Sequence, residues 1–160
     1  MRIVTNSSPL IAFAILGRLD LLRLIFTEIY VPQAVFIEVS AEGKAYSPEL
    51  KAFSKDKVKS VKNTLAVQLL SKDVDLGEAE AIALALESGI KDVLIDDSKG
   101  RKIAALYGLY PIGTIGVLLE AKRLGHIGQV KPHLEKLISN KIRIGKNLYQ
   151  QALKLAGESN

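Results

Sequence analysis

Three acidic residues between residues 75 and 101 lie where carboxylates can take part in chemistry. Glu78 falls in the first turn of a predicted helix and, at 100° per residue, projects into that helix's apolar side. Asp96 and Asp97 directly follow a short apolar run that is typical of a buried strand. Oxygen ligands without cysteine or histidine are those that hard cations such as Mg²⁺ or Mn²⁺ prefer. This segment therefore indicates a divalent-cation site, provided that other polar groups converge on it.

The same acids also have structural interpretations. Asp75 followed by Glu78 three residues later has the spacing of a capping box, in which both side chains satisfy backbone N–H groups. Asp97 or Ser98 is suited to cap the helix that follows. For either acid taken alone, the structural and the chemical interpretations both stay open.

The helix between Asp75 and Gly89 is predicted from its period. Its apolar residues on one broad arc are Ala79, Ala81, Ile82, Ala85 and Leu86. Glu80 and Glu87 fall on the opposite side, where we expect solvent. We therefore predict that Glu78, and not Glu80, belongs to the site.

Composition sets the class of protein. The chain has 160 residues, of which 48% are hydrophobic and 24% charged, and we expect a single globular domain over residues 1–160. It has no cysteine, which excludes disulfides and thiolate metal sites. Asn6 to Pro9 interrupt the apolar N-terminal run, so we do not expect a signal peptide. No run approaches the roughly 20 apolar residues of a membrane span, and we expect a cytoplasmic protein.

Basic residues are unevenly distributed around a net charge of +5. One group is Lys51, Lys55, Lys57, Lys59 and Lys62. From residue 122 to 154 there are eight Lys or Arg residues and a single acid, Glu135. Basic segments around a few inward acids favour a polyanionic partner, although a solvated surface explains any one lysine equally well.

Short strands alternate with helices along the chain. We predict strands at residues 3–5, 29–31, 92–95 and 110–112, a minor strand near 58–61, and a helical part from about 126. Ser8 and Pro9 resemble the N-cap and first residue of a helix. This alternation predicts an α/β fold in which helices cover both faces of a mainly parallel sheet.

Parallel strands end at one edge of the sheet, and open α/β sheets place their sites there. This rule brings together four residues: Asn6, Asp96, Asp97 and Thr114. Glu38 and Glu78 lie on predicted helices from which they can reach the same edge.

Five segments in order resemble a PIN domain: VTNSSPLI, VPQAVFIEV, GEAEAIALA, VLIDD and IGTIGVLLEAKRLG. More narrowly, they resemble the PIN-like predicted nucleic-acid-binding proteins of archaea and bacteria, which are close to VapC-type toxins. The resemblance implies a three-layer α/β/α sandwich and an Mg²⁺- or Mn²⁺-dependent ribonuclease. It also implies a homodimer and, for toxins, a small antitoxin protein.

The resemblance also implies which residues form the site. The family's four acidic positions fall on Asn6, Glu38, Glu78 and Asp97, with Asp96 as the alternative to Asp97. Thr114 matches an assisting polar position, and Ser7 and Ser8 match small hydroxyl residues after the first strand. Asn6 departs from the family, because the usual aspartate would supply a charged oxygen.

These positions suggest metal-assisted hydrolysis of a phosphodiester, with Lys99, Arg101 and Lys102 as contacts to the RNA backbone. An exposed helix face is the structural alternative for these three residues. Apolar helices over residues 8–24 are candidates for a homodimer contact.

Two other classes of protein remain open. The first is a PIN-fold RNA-binding module that has lost catalysis through Asn6. The second is another α/β phosphotransfer enzyme, such as a haloacid-dehalogenase-like phosphatase or a receiver domain. Both of these need an aspartate after the first strand, where this chain has Asn6, and no Walker-type phosphate loop is present.

Overall fold

The computed structural model describes residues 1–159. Within them the chain forms a five-stranded sheet in the order β3-β2-β1-β4-β5, and every neighbouring pair is parallel. The strands are β1 (Arg2–Thr5), β2 (Glu28–Pro32), β3 (Val58–Lys59), β4 (Asp92–Leu94) and β5 (Tyr110–Ile112). The predicted parallel α/β sheet is confirmed.

Ten helices connect and extend these strands within residues 1–159. The first five are α1 (Ser7–Ile15), α2 (Asp20–Ile25), α3 (Gln33–Val39), α4 (Ser47–Ser54) and α5 (Thr64–Leu70). The others are α6 (Leu76–Ser88), α7 (Ser98–Leu106), α8 (Thr114–Arg123), α9 (Lys131–Ser139) and α10 (Lys146–Leu155). No helix in this part of the chain combines the length and the apolar character needed to cross a membrane.

Side chains of alternate strand residues pack into two separate hydrophobic cores, one on each face of the sheet. Ile3 and Leu94 pack with α1, α8 and the C-terminal helices. Their neighbours Val4, Val93 and Ile95 pack with α5, α6 and α7 on the other face. This alternation is the two-residue period of a strand covered on both faces. It gives the three-layer α/β/α sandwich that the PIN resemblance implies.

The central strands β1 and β4 lie side by side, with Thr5 opposite Leu94. The chain moves outward from β1 through β2 to β3, and outward from β4 to β5 in the other direction. The N–H of Asn6 extends the pairing by donating to the Leu94 carbonyl at 2.9 Å. The carboxyl ends of β1 and β4 therefore form the switch point at which α/β sheets place their sites.

The predicted capping box of α6 is confirmed. The N–H of Glu78 donates to Asp75 Oδ1 at 2.8 Å, and the N–H of Asp75 donates to Glu78 Oε1 at 3.2 Å. Gly89 ends the helix with a φ of 69°, a conformation that glycine adopts without strain. These caps hold the first turn of α6, and with it Glu78, in a defined position.

The predicted solvent side of α6 is wrong for Glu80. This side chain is half-buried, and its Oε1 accepts a hydrogen bond from the N–H of Ala34 at 2.9 Å. Helix α3 packs against that side of α6. Glu80 thereby satisfies one of the N–H groups at the N-terminus of α3 that have no partner within that helix. Leu86, predicted on the apolar arc, is instead 42% exposed.

The predicted start of α1 is also wrong. Asn6 and not Ser8 is the N-cap residue, with extended backbone, and Pro9 is the third helical residue. Proline is tolerated there because the first four N–H groups of a helix have no partner within it. Within the predicted contact of residues 8–24, most residues of α1 are buried in this protein's own core, whereas Leu24 of α2 is 53% exposed. The homodimer contact over this segment stays a prediction.

Candidate functional site

Polar side chains gather at the carboxyl edge of the sheet around a cavity of about 440 Å³. Its polar lining residues are Ser8, Asp96, Asp97, Thr114 and Arg143. We call this space the edge cavity. It joins the ends of β4 and β5 to α1, as expected for a site at the switch point.

Glu78 is the most deeply buried acid at this edge, with 4% of its surface exposed. Its Oε1 accepts the capping hydrogen bond from Asp75, and its Oε2 points at the first turn of α7. A Cβ atom added to Gly100 would lie only 2.6 Å from Glu78 Oε2. The carboxylate therefore lies directly against the helix that begins after Asp97.

The pKa of Glu78 is raised to about 7, first of all by burial. The negative charges of Asp75 and Asp97 raise it further, while the hydrogen bond from the Asp75 N–H acts in the opposite direction. Three acids from two separate helix starts thus interact electrostatically.

Asp97 is the N-cap residue of α7, and its Oδ2 accepts a hydrogen bond from the N–H of Gly100 at 2.9 Å. The structural interpretation of Asp97 is therefore correct. The residue is exposed and lines the edge cavity, so capping leaves it accessible from that space.

Asp96 has different partners from Asp97. Its carboxylate accepts hydrogen bonds from the Thr114 N–H at 2.7 Å and from the Thr114 hydroxyl at 2.6 Å. Asp96 therefore caps α8 across the sheet edge, and Thr114 is 6% exposed. The two adjacent aspartates thus fix two different helix starts.

Arg101 does not extend into solvent. Its guanidinium donates to the Ile95 carbonyl at 3.1 Å and also lies beside Gly113, where a Cβ would be 3.0 Å from Nη1. Arg101 therefore ties α7 to the end of β4. Lys99 and Lys102 on the same helix are exposed.

Asn6 is 6% exposed and does not use its side chain to cap α1. Its Oδ1 lies instead beside α6, 3.1 Å from where a Cβ on Gly77 would be. That same Cβ position is 3.6 Å from Asp75 Oδ1. The amide oxygen of Asn6 thus faces the capping box that contains Glu78.

Two serines follow Asn6. Ser7 is 4% exposed, and its Oγ is buried without a hydrogen-bond partner within residues 1–159. Ser8 is exposed and lines the edge cavity. The structure therefore places one hydroxyl inside and one at the surface.

Glu38 is not drawn into the acidic group. It is exposed near the end of α3, one turn beyond Val35, whose Cγ2 lies 3.4 Å from the Cβ position of Gly77. In the part of the chain that is described, no group of three or more Asp, Glu or His side chains is arranged to hold a metal ion. The predicted site residues therefore converge in part, with Glu38 outside the group.

Sequence reasoning missed two contributors to this edge. Asp75 could have been predicted from the sequence, because the capping-box spacing places its carboxylate beside the first turn that carries Glu78. Arg143 could not, because a single arginine in the loop after α9 does not reveal that the loop folds back to the edge cavity.

The comparisons with known proteins identify the family. A family model described as a PIN domain matches residues 2–158. Neither a curated protein nor a solved structure matches the chain significantly. The family match covers nearly all of the sequence, and the parallel α/β/α fold agrees with it. The chain therefore belongs to the PIN domain family, whose members share a nuclease-type fold.

Proposed function

We propose that this protein is a divalent-metal-dependent ribonuclease that hydrolyses RNA phosphodiester bonds. The observation that carries the proposal is the position of Glu78, whose buried carboxylate lies against the first turn of α7 beside Asp97. Burying a carboxylate next to other acids is unfavourable unless a positive charge offsets it. A functional acid cluster explains why this cost is tolerated.

The donors at this edge fit a hard cation. Asp97 and Glu78 supply carboxylates, and Asn6 and Thr114 supply neutral oxygens, which is the ligand chemistry of Mg²⁺ and Mn²⁺. PIN domains in general depend on such metals. A bound ion of this kind polarises a phosphoryl oxygen and lowers the pKa of a water that it binds.

The chain's own residues prepare the site for that ion. The capping box orients Glu78, and the Gly100 N–H orients Asp97, so both carboxylates are held before substrate arrives. Asp96 holds Thr114 at the start of α8, and in our proposal it is the alternative ligand to Asp97. Glu38 joins these ligands only by reorienting from the exposed end of α3.

RNA backbone contacts come from the rim of the same edge. Lys99 and Lys102 are exposed on α7 directly after Asp97, where they can meet phosphates. Ser8 offers a hydroxyl from the edge cavity. Arg101 supports this rim from beneath, because its guanidinium donates to the Ile95 carbonyl. Ser7, the remaining predicted RNA contact, is only 4% exposed.

Asn6 favours a second candidate function, a PIN-fold RNA-binding module with little or no catalysis. The Asn6 amide oxygen lies beside Gly77 in the first turn of α6, and it is a neutral oxygen where the family has a charge. The two functions differ in what happens to the RNA. The enzyme cleaves it when metal is present, whereas the module binds it with or without metal and leaves it intact.

The test is cleavage of unstructured RNA with Mn²⁺ or Mg²⁺ and with a chelator. Parent protein should cleave only with metal, and Glu78→Gln should lose activity by at least about 100-fold. Glu80→Gln is the matched control, because it lies on the same helix and can still accept the Ala34 hydrogen bond. Equal activity in Glu78→Gln and Glu80→Gln would refute the proposed site.

Three further proposals depend on family membership. We extend the proposed function to a toxin that acts on RNA in the cytoplasm, paired with a small antitoxin protein and assembled as a homodimer. Light scattering and inspection of the neighbouring reading frame test these points. A species of only 17.4 kDa at micromolar concentration would contradict the homodimer.

A further inference from the structure

The edge cavity has an apolar side that the proposed chemistry does not use. Six isoleucine and leucine side chains line it: Ile11, Ile115, Leu137, Ile142, Ile144 and Leu148. They come from α1, α8, α9, α10 and the loop between the last two helices. Leu148 is 49% exposed, and most of the others are only partly buried. Aliphatic surface is therefore left facing a space that opens beside Asp96 and Asp97.

A single cation lines the same cavity. Arg143 lies between Ile142 and Ile144, in the loop that Lys141 begins with a φ of 67°. The Arg143 guanidinium makes no ion pair and no hydrogen bond to any residue from 1 to 159. An unpaired guanidinium matches the geometry and charge of a phosphate.

Size and charge narrow the choice of occupant. A volume of about 440 Å³ lies in the range of small-molecule sites and is too small for a helix of a partner protein. The occupant needs a flat or apolar part for the aliphatic side and an anionic part for Arg143. A nucleotide unit of RNA has both, and its next phosphate would lie at the acidic side.

We infer that the edge cavity is a nucleotide subsite. It takes the base of the nucleotide next to the scissile phosphate between its aliphatic side chains, while Arg143 binds a flanking phosphate. This inference rests on the proposed ribonuclease function, since it names where that substrate lies. It makes Arg143 a substrate-binding residue.

Binding is measured on the full chain in Mg²⁺ by NMR of isoleucine methyl groups. The probes are adenosine and uridine 5′-monophosphates, the corresponding nucleosides, and ribose 5-phosphate. We expect the monophosphates to shift the signals of Ile115, Ile142 and Ile144. Ribose 5-phosphate should bind about tenfold more weakly in the same titration, because it has no base to bury.

Two pairs of variants separate the two halves of the subsite. Arg143→Gln should weaken monophosphate binding about tenfold and leave nucleoside binding unchanged, whereas Arg2→Gln, at the opposite edge of the sheet, should change neither. Leu148→Ala should weaken the binding of both the monophosphates and the nucleosides. Leu155→Ala is its control, because Leu155 lies on the same helix, is 68% exposed and does not line the cavity.

The outcomes for the subsite and for the proposed function are distinguishable. The subsite would be overturned if no nucleotide shifted the methyl signals, or if ribose 5-phosphate bound as tightly as the monophosphates. An extended protein segment would then be the remaining candidate occupant of the cavity. Metal-dependent RNA cleavage by the same protein would then still support the ribonuclease. Nucleotide binding with the expected shifts, but without cleavage, would support the subsite and overturn the enzyme.

Discussion

Glu78 Oε2 occupies the space into which a side chain at Gly100 would grow, 2.6 Å from the added Cβ. The absence of a side chain at position 100 therefore lets the buried carboxylate meet the helix that Asp97 caps. This contact joins α6 to α7 and places two acids from different elements at one edge of the sheet.

Gly100→Ala should destabilise the protein, although alanine favours a helix by about 1 kcal/mol over glycine. The new Cβ also lies 3.0 Å from Ile95 Cγ2, so we expect a net loss of about 1–2 kcal/mol in the free energy of unfolding. Gly116→Ala on the exposed side of α8 is the control, with its nearest contact at 3.3 Å.

A double-mutant cycle checks the cause of that loss. In a Glu78→Ala background the carboxylate is gone, so adding Gly100→Ala should cost less than it does in the parent protein. Urea unfolding of the four proteins gives the coupling energy. Equal costs in both backgrounds would mean that Glu78 and Gly100 do not compete for the same space.

The raised pKa of Glu78 predicts a pH dependence in metal-free protein. Between its ordinary value of 4.5 and about 7, the folded chain holds a proton that the unfolded chain has lost. The free energy of unfolding should therefore fall as pH rises through this window, by up to about 3 kcal/mol. Unfolding in chelator at pH 5 to 8 should show a steeper fall for the parent than for Glu78→Gln. Parallel curves would contradict the buried carboxylate.

Thr114 offers a test of how firmly Asp96 is held. Thr114→Val removes the hydroxyl that donates to Asp96 Oδ2, and we expect a loss of about 1–2 kcal/mol in the free energy of unfolding. Thr114→Ser keeps a hydroxyl at this position and should retain most of the parent's stability. If the valine and serine variants unfold alike, the hydroxyl contributes nothing to the helix start.

Glu158 fastens the C-terminal part that completes the edge cavity. Its carboxylate accepts from the N–H groups of Val130 and Lys131 and pairs with Lys122 at 2.9 Å. Burial by itself raises the pKa of Glu158, but these partners outweigh it and lower the pKa below its ordinary value of 4.5. The stability that they contribute is therefore lost as pH falls from about 4.5 through the lower pKa of the folded state. Glu158→Gln should cost about 2 kcal/mol at pH 7, and the surface-pair variant Glu120→Gln under about 0.5 kcal/mol. Equal losses would contradict this fastening role.

Local signals predicted the parts of this site that local chemistry determines. The capping box, the Gly89 helix end and the aspartates after β4 each depend on residues close in sequence, and all were found from their spacing. The parallel sheet followed from the alternation of strands with helices.

What the sequence could not reveal depends on contacts between distant elements. Glu80 was expected in solvent because a helical period cannot show that α3 packs on that side of α6. Arg101 donates to the end of its preceding strand, which no pattern distinguishes from a solvated cation. Arg143 reaches the edge cavity only through the packing of α9 and α10.

The proposed function requires that Asn6, Glu78 and Asp97 face one metal ion. Asn6→Asp is nearly isosteric and adds a charged ligand, so Mn²⁺ should bind more tightly. Tenfold tighter binding adds about 1.4 kcal/mol to the metal-bound folded state, or about 4 °C in Tm. Without metal, the variant should melt below the parent, because another carboxylate joins Glu78 and Asp97.

The decisive measurement is therefore the Mn²⁺-induced change in Tm of the parent and of Asn6→Asp. Asn63→Asp serves as control, since Asn63 caps α5 through its side-chain oxygen and aspartate can do the same. A larger metal-induced rise in Tm for Asn6→Asp than for the parent and Asn63→Asp is the predicted result. An identical rise in all three proteins would show that position 6 does not face the ion, and would contradict the site described above.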